Sequence, residues 1–243
     1  MKMLASVTVM CCVMAASAYA AISSDETKRL SEAGAILAEL RGSPDKGIPE
    51  ELWTRAECVV VIPSMKKAAF IVGGEYGSGV MSCRRHATER TSAPATPSNG
   101  WSAPVFMQLA KGSWGLQIGA QQTDLVLLIM NQRGVDKMLE DKVSLGADAS
   151  VAAGPVGRAA SAATDAQLHA EILSYSRSSG LFAGIDLSGG VLRPDTDADK
   201  RAYGPEVTAR DVVTGPRGIS APADATPFLR ALRRDIGGPV PAN

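Results

Sequence analysis

The stretch KGSWGLQIGAQQTDLVLLIM, Lys111 to Met130, decides the fold class. In its first half Trp114, Leu116, Ile118 and Ala120 alternate with Gly115, Gln117, Gly119 and Gln121. A period of two belongs to a β-strand with one buried face. The opposite row holds only glycine and glutamine, so the sheet can bend there or accept a close neighbour. After Thr123-Asp124, Leu125 to Met130 is an unbroken apolar run. That fits a strand covered on both sides, and a short buried helix has the same pattern. The two segments are expected to form a central pair that the rest of the chain covers or continues.

Upstream, Cys58 to Ile62 (CVVVI) predicts a strand closed by Pro63, then a turn over Ser64 to Lys67. Ala68 to Val72 resumes as strand and enters the glycine cluster GGEYGSG at 73–79. A phosphate-cradling loop must open a helix, whereas Val80-Met81-Ser82-Cys83 reads as more strand, so nucleotide binding is not expected. Arg84 to Gly100 is a polar loop, and Trp101 to Leu109 is a further strand. Downstream come a short helix at Asn131 to Glu140, a one-sided strand at Val143 to Val151 and a turn at Gly154 to Arg158. Ala159 to Ala170 fits helix or strand, and Ile172 to Arg177 with Leu181 to Leu187 forms a strand pair.

Helices flank this β-rich middle. Ser24 to Leu40 has Leu30, Ala33, Leu37 and Leu40 on one face, with Lys28 and Arg29 off it. Such a helix docks on a core or lies on a membrane surface. Pro49 opens a second short helix; others follow Pro194, run near Glu206 to Val213 and span Thr226 to Asp235. The reading is an α+β fold: a mainly antiparallel, strongly curved, glycine-rich sheet or partly closed barrel, with flanking helices at the N- and C-termini.

The chain has 243 residues, 45% hydrophobic, enough for a single domain with a real core. Twenty-five basic residues balance twenty-five acidic ones, so nothing points to nucleic-acid binding. Lys2, the apolar run Met3 to Ala16 and Ala18-Tyr19-Ala20 predict a signal peptide over residues 1–20, cleaved after about Ala20. Cys11 and Cys12 lie inside that run, but a lipidated cysteine needs a small residue before it, and theirs are Met10 and Cys11. Residues 21–243 are then one domain, with its core at about 31–204 and a helical extension over 205–243. The expected location is the periplasm or the periplasmic face of an outer membrane. Cys58 and Cys83 would sit in an oxidising compartment as a disulfide or as two buried thiols.

No catalytic or metal constellation emerges. His86 and His169 lack ligand spacing to either cysteine, and Ser78 and Ser113 do not fit a nucleophile elbow. Asp148 and Asp186 lie on small-residue strand faces and read as structural partners of Arg158 and Arg177. No cofactor is expected. Lys66-Lys67 and Arg84-Arg85 flank neighbouring strands and are read as one basic rim; ordinary solvated turn charges are the other reading.

Several ordered motifs run through these elements: Gly73-Gly74-x-Tyr76-Gly77-x-Gly79, Trp101-Ser102-Ala103-Pro104, Gly115 to Gln121 (GLQIGAQ), Leu145 to Ser150 (LGADAS), Gly154-Pro155-Val156-Gly157-Arg158, Tyr175 to Gly184 (YSRSSGLFAG) and Tyr203-Gly204. From about Ser31 to Gly204 the chain resembles the SYLF-domain family, a lipid-binding family also named for yeast actin-binding members. The family carries an asparagine a few residues before its tyrosine-glycine pair; Asp199 and Lys200 occupy that neighbourhood here. The resemblance implies association with phospholipids, phosphoinositides or other anionic lipids among eukaryotic members. An exported protein meets no actin, so actin is not expected as a partner. The expectation is a non-catalytic, anionic-phospholipid-binding envelope protein, using the basic rim or the N-terminal helix with Lys28 and Arg29. The alternative is a scaffold that binds another envelope protein, and a hydrolase ranks below both.

Overall fold

The computed structural model describes residues 22–41, 47–69, 72–85, 100–114, 121–157, 169–178, 181–215 and 219–233. Its centre is a nine-stranded sheet: β1 (Cys58–Ala69), β2 (Val72–Cys83), β3 (Val105–Trp114), β4 (Gln121–Ile129), β5 (Val143–Ser144), β6 (Val151–Ala153), β7 (Ile172–Ser178), β8 (Leu181–Gly184) and β9 (Gly190–Pro194). The order is β5-β9-β3-β2-β1-β4-β7-β6, with β8 on the edge of β7. Every pairing is antiparallel except β6 with β7. An isolated bridge, Leu145 to Ala149, joins the ends of β5 and β6, the two outermost strands of the order. The sheet therefore curls until its edges meet at one end, as a partly closed barrel.

The chain's centre is β1, not the pair read from Lys111 to Met130. β3 and β4 do not pair with each other: the β1–β2 hairpin lies between them, with β4 on β1 and β3 on β2. Residues 115–120, most of the alternating segment from Trp114 to Gln121, lie outside the described residues. β1 takes the middle because Val59, Val60, Val61 and Ile62 are all fully buried, alternating between the two faces. Leu125 to Ile129 of β4 is buried the same way, as its pattern required.

β1 also runs through the turn expected at Ser64 to Lys67. The chain bulges between Ile62 and Met65 and then resumes pairing. Ser64 takes φ of 50°, and its N–H donates to Asp124 Oδ1 at 2.8 Å. Pro63 has no N–H to lose, so the irregularity leaves no orphan donor there. Gly79 makes the bulge possible, because a Cβ there would lie 2.0 Å from the Val61 carbonyl oxygen. The strand expected over Val143 to Val151 breaks into β5 and β6. Gly146 turns at φ 88° and the Asp148 carboxylate accepts the Ser144 N–H at 2.7 Å. The alternation expected over Leu181 to Leu187 is strand only to Gly184, and a further strand, β9, follows and pairs with β3.

Among the described residues six α-helices cover the sheet: α1 (Ser24–Arg41), α2 (Glu50–Arg55), α3 (Gln132–Met138), α4 (Thr196–Tyr203), α5 (Ala209–Thr214) and α6 (Thr226–Arg233). One apolar layer, with Val60, Met81, Leu127 and Leu192, fills the concave side and is closed by α3 and α5. The other, with Val59, Val80, Phe106 and Tyr175, packs under α1, α2 and α6. α1 buries Leu30, Ile36, Leu37 and Leu40 there, worth roughly 6–12 kcal/mol before ordering entropy. Its apolar stripe is spent on the core and is not offered to a membrane. Gly34 brings α1 against α6, where a Cβ would sit 3.0 Å from the Phe228 nitrogen. Cys58 and Cys83 are direct cross-strand partners with Cα atoms 3.9 Å apart, and they form a disulfide. Arg84 N–H donates to Glu57 O, which makes Cys58–Cys83 a non-hydrogen-bonded pair, the close-spaced kind.

Candidate functional site

The residues read as one basic rim stand at opposite ends of the β1–β2 hairpin. Cys58 pairs with Cys83 at one end and Lys66 with Tyr76 towards the other, about 25 Å of strand apart. At the first end Arg84 is structural: its Nε donates to Ala56 O at 2.9 Å and Nη2 to Trp53 O at 3.2 Å. Its guanidinium also lies 4.6 Å from the Trp101 ring centroid. Arg85 donates to Gly215 O at 3.0 Å. Arg29 is likewise occupied, 2.8 Å from Asp195. Lys28 is exposed and meets only Glu32, at 3.8 Å. Lys66 is exposed; Lys67 pairs in register with Glu75 and Gln121.

Arg177 does not meet the partners expected of it. Its Nε donates to Asp124 Oδ2 at 2.8 Å, and Nη1 contacts Glu39 of α1. Asp148 and Asp186 are held by their own turns, through Ser144 and Ser188. Those hydrogen bonds keep both carboxyls below the usual carboxylate range. Arg158 and His86 lie outside the described residues, and His169 is exposed. Ser78 Oγ donates to the Tyr76 hydroxyl at 3.2 Å. Among the described residues no three His, Cys, Asp or Glu side chains converge as metal ligands.

Lys66 belongs instead to a surface beside α1. Lys66, its partners Tyr76 and Gln122, and then Asp124 and Arg177, share the sheet face on which α1 packs, because each is in register with the next or two residues along its strand. Tyr76 is 49% exposed, one of two large hydrophobic residues left open among the described residues; the other is Leu181, at 60%. Between this face and α1 lies a groove of about 400 Å³. Ala35, Ile36 and Pro63 form its apolar wall, while Glu32, Asp124 and Arg177 bring charge to it. Arg177 was visible in the sequence, but Glu32, Glu39 and Asp124 were not, since only the packing of α1 across β1 and β2 sets its acidic residues beside the ends of β4 and β7.

A second cluster, also missed, ties α1 to α4. Arg29 meets Asp195, the N-cap of α4, and Arg201 meets the buried Glu26. Burial, the largest single effect, pushes the Asp195 and Glu26 carboxyls up, but the hydrogen bonds from Arg29, Gln108 and Ala198 to Asp195, and from Arg201 and Ser23 to Glu26, together outweigh it and leave both below the usual range. Asp199, one turn along α4, is different. It is 2% exposed, Oδ1 accepts the Phe106 N–H at 2.9 Å, and Oδ2 has no hydrogen-bond partner. Burial, reinforced by the nearby Asp195 charge, pushes it up to about 7.

A curved, mainly antiparallel sheet with helices from both termini packed together on one face defines the architectural class. A family model described as "Las17-binding protein actin regulator" (Ysc84) matches residues 110–235. An SH3 domain-containing protein of Schizosaccharomyces pombe is 33% identical over 192 residues, 78% of this chain and 41% of that protein. LAS seventeen-binding protein 3 of Saccharomyces cerevisiae is 32% identical over 202 residues, 82% of this chain and 41% of its own length. SH3 domain-containing YSC84-like protein 1 of Homo sapiens is 30% identical over 176 residues, 72% of this chain and 48% of its own. The chain belongs to the Ysc84, or SYLF, family. It spans half or less of the length of these relatives.

Proposed function

We propose that this domain binds phospholipid surfaces without transforming them, as an exported protein of the cell envelope. The observation that carries the reading is the exposed Lys66–Tyr76 cross-strand pair, set on the same face as the Arg177 groove. Lysine beside an open aromatic ring is the pairing that membrane interfaces favour: the ring sits at headgroup depth while the ammonium meets anionic lipid. The wider rim of the sequence reading contracts to Lys66 and Lys67, because Arg84 and Arg85 face the other end. Export is supported by the leader-like first twenty residues and by the Cys58–Cys83 disulfide, a bond that persists in oxidising compartments.

Sedimentation with vesicles tests it. The wild type is expected to bind anionic more than neutral vesicles at low salt and to lose the difference at high salt. Lys66→Ala is expected to weaken anionic binding about fivefold, the effect of roughly 1 kcal/mol per surface lysine. Absence of binding to either vesicle at low salt would defeat the reading.

A protein-interaction role is the second reading. It is favoured by the name of the family, which describes Las17 binding for its actin-regulating members, and by the open Leu181 on the four-residue strand β8. It predicts an envelope protein recovered in a pull-down without accompanying lipid, and loss of that partner in Leu181→Asp. Actin is not an expected partner of an exported chain.

A further inference from the structure

The groove beside Arg177 has a charge pattern that a purely anionic ligand does not match. The Arg177 side chain is 23% exposed, and its guanidinium is fixed by Asp124 on one side and Glu39 on the other. That uses Nε and one Nη1 proton; among the described residues Nη2 donates to nothing. A guanidinium fork held in place with free donors is a ready phosphate ligand. The carboxylates around it would repel a second negative charge. Glu32 lines the same groove from α1, and among the described residues its one ion-pair partner is the exposed Lys28 at 3.8 Å. One fixed cation flanked by carboxylates, over an apolar wall of Ala35, Ile36 and Pro63, complements a zwitterion attached to something apolar.

We infer that this groove binds a phosphodiester carrying a primary ammonium, the head group of an ethanolamine phospholipid, with the phosphate on Arg177 and the ammonium on Glu32. The inference rests on the phospholipid reading and narrows it to a head-group class. The primary amine follows from the lining. An ammonium with three N–H donors is satisfied by carboxylates, whereas a quaternary ammonium is held by aromatic faces, and none of the residues lining this groove is aromatic. The position also suits a membrane lipid. Gln122 of the groove is the strand partner of Lys66, so the groove continues the face that carries Lys66 and Tyr76.

Two measurements test it. The first titrates soluble glycerophosphoethanolamine, glycerophosphocholine and ethanolamine against the full mature protein, followed by amide NMR. The ethanolamine diester is expected to shift Ser64, Gln122 and Ser178 and to bind about tenfold more tightly than the choline diester, the effect of one charge-assisted hydrogen bond. Glu32→Gln, at a half-buried position on α1, is expected to shrink that preference. The second measures vesicles of phosphatidylcholine with and without phosphatidylethanolamine. A preference seen only on vesicles, and reduced by Glu32→Gln, supports the lipid as the source; one seen also with the soluble diester supports the shared head-group chemistry. Equal binding of the two diesters together with indifference to phosphatidylethanolamine overturns the inference. Ethanolamine binding as tightly as its phosphodiester also overturns it, because Arg177 would then contribute nothing. Should anionic vesicles still bind in either case, the broader phospholipid reading survives; should no vesicle bind, that reading falls on its own.

Discussion

Raising the pH from 5 to 8 should destabilise this protein through one buried carboxyl, and Asp199→Asn should abolish the effect. Asp199 is enclosed between α4 and the start of β3, with Oδ2 unpartnered and the Asp195 carboxylate nearby. Its pKa rises from the usual 3.8 to about 7, so the folded state keeps a proton that the unfolded state has already released. Stability from this group is complete below 3.8 and declines as pH rises, levelling off above about 7. At 1.36 kcal/mol per pH unit the loss between pH 5 and 8 is about 3 kcal/mol. The depressed carboxyls Glu26, Asp195 and Glu171 are ionised in both states over this range and add no slope. Asparagine preserves the Oδ1 acceptor for Phe106 and places a neutral amide where a protonated carboxyl stood. Urea unfolding at pH 5, 6, 7 and 8 is the assay, with the disulfide intact. The wild type should lose about 3 kcal/mol relative to the variant across the series, several times the error of the extrapolation. Parallel profiles for the two proteins would refute the reasoning and mean that water or a rearrangement solvates the Asp199 anion.

Three further outcomes follow from the packing. Gly79→Ala places a methyl 2.0 Å from the Val61 carbonyl oxygen, backbone that cannot swing away, so a loss of about 3 kcal/mol or failure to fold is expected in thermal melts. Replacing both Cys58 and Cys83 by Ala should cost about 3 kcal/mol in urea unfolding, since the bond closes a loop with a sequence separation of 25. Arg29→Ala leaves the Asp195 carboxylate buried and unpaired and should cost about 3 kcal/mol at pH 7. Part of that cost should vanish as pH falls through the carboxylate range, because a carboxyl whose folded pKa is depressed contributes stability above its unfolded pKa and loses it in acid.

Local patterns carried much of the architecture. The amphipathic α1, the doubly buried β4 and the helical α6 were legible because periods and apolar runs are short-range signals. Pairing was not. Nothing within Lys111 to Met130 tells that the earlier hairpin inserts between its two halves; CVVVI and Leu125 to Ile129 both bury two faces, and neither pattern carries the strand order. The Ser64 bulge hid behind Pro63, which reads as a terminator but serves here as a donor-free residue in an interrupted ladder. The candidate site suffered most. Arg84 and Lys66 are both basic residues in strand context, and only register reveals that one grips Trp53 and Ala56 while the other is open to solvent. Asp199 gave one clue, an acid near the position where the family has an amide, and its burial gives that clue a physical meaning: a protonated carboxyl is the closest acid to asparagine.

The claim that this domain touches phospholipid through one end of its sheet is tested most directly by photo-crosslinking. The mature protein would be mixed with vesicles containing a phospholipid with a photoactivatable group near its head, irradiated, and digested for peptide mapping. The expected result is labelling concentrated on peptides carrying Lys66, Tyr76 and Arg177, reduced in Lys66→Ala. Labelling no greater than that of a soluble control protein, or confined to peptides around Arg84 and Gly215, would contradict it.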